Sequence, residues 1–400
     1  MIIVLYMKII NFFILLIGTI NASRLQSALD CTWQGLKNRN IDPYQVKLVH
    51  RPYSEEPGDA VSEGVGYGML VALYSNDQKY FNLIWEAAEQ YMWNGQYYDW
   101  RVDIYGNKIA YGSATDAESD IAASLIFAQR LVNNGKWIEH IYPSYGERAQ
   151  NILDNMWNSR MISYGNNVAP GGGWGGDDFV NPGYFAPAWY RIFSEVDTSN
   201  HDWNSVIDHC YNIILNNVGF KNGLIPDWTS STGDYYYGSL GYNAYGNGKY
   251  FFKDAIRILW RISTDYLWNK DIRAEQFLTN SYNFIEGKGG AINCNFFTMD
   301  GELLPHDDVW YFDNGQKSRS RREHSHLTIG MWSTVPFALA ANNTFSYENE
   351  LLKYYENSDY WGLSTDSSGL SEDINHNEMY FDQFLAWFGA IILNGTWVAY

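Results

Sequence analysis

Three carboxylates in this chain stand where apolar or small-residue runs begin. Glu63 lies in Val61-Ser62-Glu63-Gly64-Val65-Gly66-Tyr67-Gly68-Met69, Asp116 in Ala114-Thr115-Asp116-Ala117-Glu118, and Asp254 in Lys253-Asp254-Ala255-Ile256-Arg257. Taken singly, each has a structural explanation. Ser62 can cap a helix whose positive end favours Glu63. Thr115 and Glu118 fit a capping box, which leaves Asp116 as a first-turn acid. Asp254 and Arg257, three apart, can pair on a helix surface. Taken together, the three acids also fit a reaction. Hydrolysing a glycosidic bond needs one protonated carboxyl to deliver a proton to the leaving oxygen, and one ionised carboxylate to activate water or attack the sugar. Neighbouring carboxylates disfavour each other's ionisation and keep the donor protonated. A helix N-terminus works the other way, so Glu63 as the acid requires partial burial or a nearby negative group, and Asp116 is the candidate for that group.

To act together, the three acids must be carried to one place by the elements that hold them. Helical periodicity predicts twelve segments, at about 25–39, 63–75, 77–93, 116–133, 144–158, 183–195, 201–217, 251–268, 271–287, 325–341, 345–358 and 378–394. Their polarity alternates. Segments 77–93 and 345–358 carry charges that fit one solvated face, whereas 64–75 and 325–341 are apolar or small nearly all round, as buried helices are. Segment 251–268 breaks the alternation by carrying several charges. Outer then inner, repeated six times, predicts a ring of six inner helices inside six outer ones. Short connections make neighbours antiparallel, so the inner helices point one way and their N-terminal ends share a face. Glu63, Asp116, Asn181-Pro182-Gly183-Tyr184-Phe185 and Asp254 would all enter there, beside long glycine-rich connections at 94–115, 159–182, 218–250 and 288–323. A β-hairpin is expected around Tyr235–Tyr245.

Composition narrows the partners. A net charge of -18 argues against nucleic-acid binding, which needs a basic footprint. Trp, Tyr and Phe make up 17% of the chain, an excess that suits stacking on uncharged sugar rings as well as core filling. Residues 1–22 read as a cleaved signal peptide, because the apolar run Ile9 to Ile17 is too short to span a bilayer. We therefore expect a secreted, monomeric protein with one catalytic domain over 23–400 and no membrane association after cleavage. Cys31, Cys210 and Cys294 allow at most one bridge and show no zinc spacing. The run Gly171 to Gly176 lacks the Lys-Ser/Thr that would hold a phosphate, and His324 and His326 diverge on a helix. No metal or other cofactor is expected.

At these residues the chain resembles glycoside hydrolase family 8. The run Ser62-Glu63-Gly64-Val65-Gly66-Tyr67-Gly68-Met69 looks like the family's proton-donor segment, which implies that role for Glu63. Ala114-Thr115-Asp116-Ala117-Glu118 is similar to its signature, with Glu118 in place of a second Asp, and implies that Asp116 grips the distorted sugar at the cleavage point. Gly223-Leu224-Ile225-Pro226-Asp227-Trp228 and Asp254-Ala255-Ile256-Arg257 resemble the region of the catalytic base, which implies Asp254. Lys253 stands where relatives often carry an aromatic. The resemblance implies an all-α (α/α)6 barrel and an inverting mechanism, with Glu63 and Asp254 about 6.5–9.5 Å apart. Trp100, Trp174, Tyr184, Tyr380 and Arg257 are the candidates for binding sugar. The activity implied is that of a secreted endo-β-1,4-glucanase acting on a β-1,4-linked polysaccharide. An endo-β-1,4-xylanase and a non-catalytic glycan-binding barrel are the alternatives.

Overall fold

The computed structural model describes residues 24–400 apart from 53, 55, 218, 237–249, 305–309, 312–316, 319–323, 356–358 and 363–379. Among the described residues the chain forms twelve α-helices. They are α1 (24–36), α2 (Ser62–Tyr74), α3 (Gln78–Tyr91), α4 (Thr115–Asn133), α5 (Tyr145–Asn158), α6 (Pro187–Val196), α7 (Trp203–Asn216), α8 (Arg257–Asn269), α9 (Ile272–Gly287), α10 (His326–Ala338), α11 (Thr344–Leu352) and α12 (Tyr380–Leu393). The even-numbered helices touch in turn around a closed ring, from α2 through α12 and back to α2. Helices α3, α5, α7, α9 and α11 each pack outside the inner helix that precedes them. Helix α1 completes the outer layer against α12, where Trp387 Nε1 donates to Leu29 O at 3.1 Å. This is the (α/α)6 barrel that the polarity alternation and the resemblance predict.

Four of the outer helices are started by short polar side chains. Asp77, Ser144, Asp202 and Asp271 accept first-turn N–H groups of α3, α5, α7 and α9, each such cap contributing about 1 kcal/mol. The inner helices α2, α4, α6 and α8 begin instead at Val61, Ala114, Ala186 and Ile256, with no side-chain cap. These four inner helices thus start without the local caps of the outer ones, whereas inner helix α10 begins at a capping box on Ser325.

The charges that broke the alternation on α8 point inward. Arg257, Arg261 and Asp265 recur every four residues and are all buried: Arg257 meets Glu63 and Asp116 and Arg261 meets Asp120 across the ring, while Asp265 pairs with Arg191 of neighbouring α6. Periodicity alone reads such a stripe as a solvated face, because it registers charge and not pairing.

Most of the aromatic excess fills the ring. Trp260 stacks on Phe388 at 4.4 Å between centroids, and Tyr67 meets Phe388 edge-on at 5.3 Å. At the α10–α12 contact, a Cβ on Gly389 would lie 2.2 Å from Gly330 O, so only glycine permits that helix spacing.

Three boundaries differ from expectation. Pro182–Tyr184 is a short 3-10 turn, and α6 starts at Pro187, where a proline suits the first helical position. Tyr250–Phe251 is a strand paired with Phe297–Thr298, so α8 starts at Arg257 and Asp254 lies in the preceding turn. Helix α11 stops at Leu352. Of the expected hairpin, Tyr235 bridges Thr229, while 237–249 lies outside the described residues, as does the signal-peptide segment 1–22. All three cysteines are free thiols.

A four-stranded antiparallel sheet covers the entrances of α2 and α4: β1 (His50–Arg51), β2 (Asp59–Val61), β3 (Arg101–Val102) and β4 (Lys108–Ala110). Strand β2 runs directly into α2 and so delivers Glu63. Buried Asp59 pins the sheet by accepting from Arg51 Nε at 2.8 Å, Arg101 Nε at 2.6 Å and Ser54 Oγ at 2.8 Å.

Candidate active site

A cleft of about 760 Å³ opens over the N-terminal ends of the inner helices. Glu63, Trp100, Asp116, Trp174, Tyr184, Asp254 and Tyr380 all line it. Neither of the expected capping explanations accounts for the acids. Val61 and Ala114 occupy the cap positions, and the hydroxyls of Ser62 and Thr115 are buried with no hydrogen-bond partner among the described residues. Glu118 turns away from Thr115 to accept the N–H of Tyr98 at 2.7 Å. That bond ties down the segment leading to Trp100. The longer side chain in place of the family's Asp is thus an anchor, and burial pushes its carboxyl up to about 8.

Arg257 organises the three acids. Its Nη1 donates to Glu63 Oε2 at 2.7 Å and to Asp116 Oδ2 at 2.8 Å, while Nη2 donates to Asp254 Oδ1 at 2.8 Å. One guanidinium therefore reaches both Glu63 and Asp254, which keeps their bonded oxygens within roughly 8 Å of each other. Exposure is graded across the set. The Asp254 side chain is 41% exposed, Glu63 19% and Asp116 2%.

Two of the sugar-binding candidates are more buried than the others. Arg257 is 1% exposed and lies under the cleft floor, spent on three carboxylates, rather than on the sugar-contacting surface. Its guanidinium also lies 5.1 Å from the Tyr184 ring centroid. Tyr380 borders the cleft, is 6% exposed and donates its hydroxyl to Glu63 Oε1. Trp174, 45% exposed and held edge-on by Trp228, offers an open aromatic face.

The electrostatics separate the acids. Burial raises the Glu63 carboxyl, the Arg257 cation opposes that rise, and Asp116 and Asp254 add to it, leaving the group at about 7. Asp116 is also raised by burial, against the pull of Arg257. Burial and the Glu63 charge push the Tyr380 phenol well up, so it keeps its proton. Beneath the acids, Arg261 and Asp120 form a buried pair, Nη2 to Oδ2 at 2.7 Å, and Trp189 Nε1 donates to Asp120 at 2.8 Å.

Residues that sequence reasoning did not single out for the site complete the walls. Arg51, held by Asp59, lies beside Glu63 and Tyr380, and Tyr111 stands 74% exposed at the cleft edge. Arg51 gave no signal, because its partner, eight residues on, is brought back only by the β1–β2 hairpin. Lys253 sits 3.8 Å from Asp382, beside the cleft rather than on its lining. Among the described residues, Asp154, Asp197 and His201 are close enough to hold a cation. They do not border the cleft, and N–H and O–H donors from Gln150, Ser199, His201 and Trp203 occupy the two carboxylates.

With this geometry established, comparisons place the chain. A profile described as glycosyl hydrolases family 8 matches residues 19–287, which include Glu63, Asp116, Asp254 and Arg257. Endoglucanase 2 of Ruminiclostridium josui is 37% identical over 289 residues, 70% of this chain and 59% of its own length. Endoglucanase C of Ruminiclostridium cellulolyticum is 36% identical over 250 residues, 62% of this chain and 51% of its own. The chain thus spans about half to three fifths of the length of these curated relatives. In fold it is similar to a beta-1,3-1,4-glucanase from Paenibacillus sp. X4, with a TM-score of 0.74, 21% identity, and coverage of 95% of this chain and 94% of the other. With the profile match extending over most of its length, the chain belongs to glycosyl hydrolases family 8.

Proposed function

We propose that this protein is a secreted, monomeric endo-β-1,4-glucanase with one catalytic domain over 23–400, and that it inverts the anomeric centre. The observation that carries the reading is a carboxyl held near neutrality, Glu63, and an open carboxylate, Asp254, fastened to one buried guanidinium in one cleft. Glu63 protonates the leaving oxygen. A proton on Oε1 turns the Tyr380 contact round, and the leaving oxygen competes with the phenol for it. Asp254 engages Arg257 through Oδ1, and Oδ2, with no protein donor among the described residues, accepts a proton from the attacking water. Buried Asp116, fixed by the same arginine, grips the distorted sugar, and its charge helps to keep Glu63 protonated. Trp100, Trp174 and Tyr184 contact the sugar rings. No step calls for a metal or other cofactor. A glycan-binding protein without turnover would need aromatic faces more than a spaced pair of acids lining one cleft. The names of the relatives support glucan as the substrate. Among the described residues, no helix is long and apolar enough to cross a membrane.

Reducing-sugar release from carboxymethylcellulose, lichenan, xylan and chitosan tests the substrate class. We expect the two glucans to be cleaved faster than xylan by about tenfold or more, the scale on which a site distinguishes substrates by one small substituent. Xylan or chitosan turnover above both glucans would contradict the assignment.

A further inference from the structure

We propose that Asp227 is the positioning residue for Asp254: by accepting the backbone N–H groups of Phe252 and Ala255, on either side of Asp254, it fixes the direction from which that carboxylate meets water. The proposal rests on the reading of Asp254 as the base. The turn at 252–256 that carries Asp254 lies between a two-residue strand and α8 and belongs to neither. Asp227 Oδ1 accepts from Phe252 N at 3.2 Å and Ala255 N at 2.8 Å, and its own N–H donates to Tyr250 O at 3.0 Å. Asp227 thereby clasps the turn from both ends. On another side the entrance of α6 closes on the turn, where a Cβ at Gly183 would lie 2.1 Å from Asp254 O. From below, Arg257 Nε reaches Asp254 O at 3.2 Å. Asp254 is thus the exposed tip of a backbone held by buried groups, and Asp227, 4% exposed, is the one that grips the amides flanking it.

One oxygen of Asp227 serves both N–H groups, so the role requires an acceptor and not a charge. Burial and the Asp254 charge push the Asp227 carboxyl well above the usual range, in keeping with a neutral acceptor. Because Asp227 does not line the cleft, its loss should disturb the chemical step more than substrate binding.

On a soluble β-1,4-glucan oligosaccharide, Asp227→Ala is expected to lower kcat about 100-fold, the scale of a misplaced catalytic group, with KM within about threefold. Asp227→Asn keeps the acceptor oxygen and should restore kcat to within about threefold of the parent. Parental kcat in Asp227→Ala, a loss confined to KM, or an Asn variant as slow as the Ala variant overturns the proposal. If circular dichroism shows Asp227→Ala unfolded, Asp227→Leu, which fills the space without an acceptor, takes its place with the same expected values. Asp254→Asn measured alongside separates the two readings. Activity surviving in Asp254→Asn sinks the base assignment, whereas an inactive Asp254→Asn beside a fully active Asp227→Ala sinks the positioning role alone.

Discussion

Glu63→Gln is expected to lower kcat/KM on a soluble β-1,4-glucan by about 10²- to 10⁴-fold, the span general acid catalysis contributes. The amide keeps the shape and the contacts to Tyr380 and Arg257 but has no proton to give. In the parent, the same group sets the alkaline side of the pH profile. Only the protonated acid works, so kcat/KM falls as pH rises through about 7, and that limb should be missing from the residual activity of the variant. Stability should move in the same direction. The folded-state value lies above the ordinary glutamate value of 4.5. Between that value and about 7 the folded state holds a proton that the unfolded chain has released, and the stability from this group falls as pH rises through the window. Glu63→Gln removes that fall, so at pH near 8 the variant should resist denaturant at least as well as the parent. Rates and urea midpoints measured on one preparation check both expectations, and an inactive variant that is also unstable would not support the acid role.

Arg257→Leu is expected to be as damaging to activity and far more damaging to the fold. Removing the guanidinium leaves Asp116 without its ion-pair partner at 2% exposure and releases Glu63 and Asp254. Breaking a buried ion pair from one side costs about 3–5 kcal/mol, and here one residue serves three acids. The sign with pH follows from the groups left behind. Arg257 is the main influence holding the Glu63 and Asp116 carboxyls down, so without it both rise and hold protons to higher pH. The variant's deficit in stability should therefore grow as pH increases through neutrality. Arg257→Lys should recover little, since one ammonium cannot reproduce a planar fork that reaches three carboxylates. Urea denaturation of parent and variant at pH 5 and pH 8 measures this directly.

How much was legible in the sequence depended on distance along the chain. Glu63 and Asp116 could be picked out because each starts an apolar run, and the ring follows from alternating polarity. Asp254 was legible through its motif and not through its helix, because pairing of Tyr250–Phe251 with a strand far along the chain sets where α8 begins. The capping readings of Ser62 and Thr115 were reasonable locally but do not hold, since Val61 and Ala114 take those positions in extended backbone. Arg257 shows the same limit. A pair three residues apart suggests a surface contact, whereas its other two partners lie 194 and 141 positions away. Tyr380 suggests a sugar platform because aromatics suit sugars, and its hydroxyl bond to Glu63 forms only where the last helix closes the ring against α2. Spacing within a segment reports the segment's own faces, and closing the barrel assigns the partners.

The central claim is that Glu63 and Asp254 act from opposite sides of one glycosidic bond, with a water between Asp254 and the sugar. Proton NMR of a β-linked glucan oligosaccharide during the first minutes of hydrolysis tests this most directly. The account predicts that the new reducing ends appear as the α-anomer and reach the equilibrium mixture only by later mutarotation. First appearance of the β-anomer would contradict it, because it would require direct attack by a carboxylate about 5–5.5 Å from the acid rather than by water across the cleft.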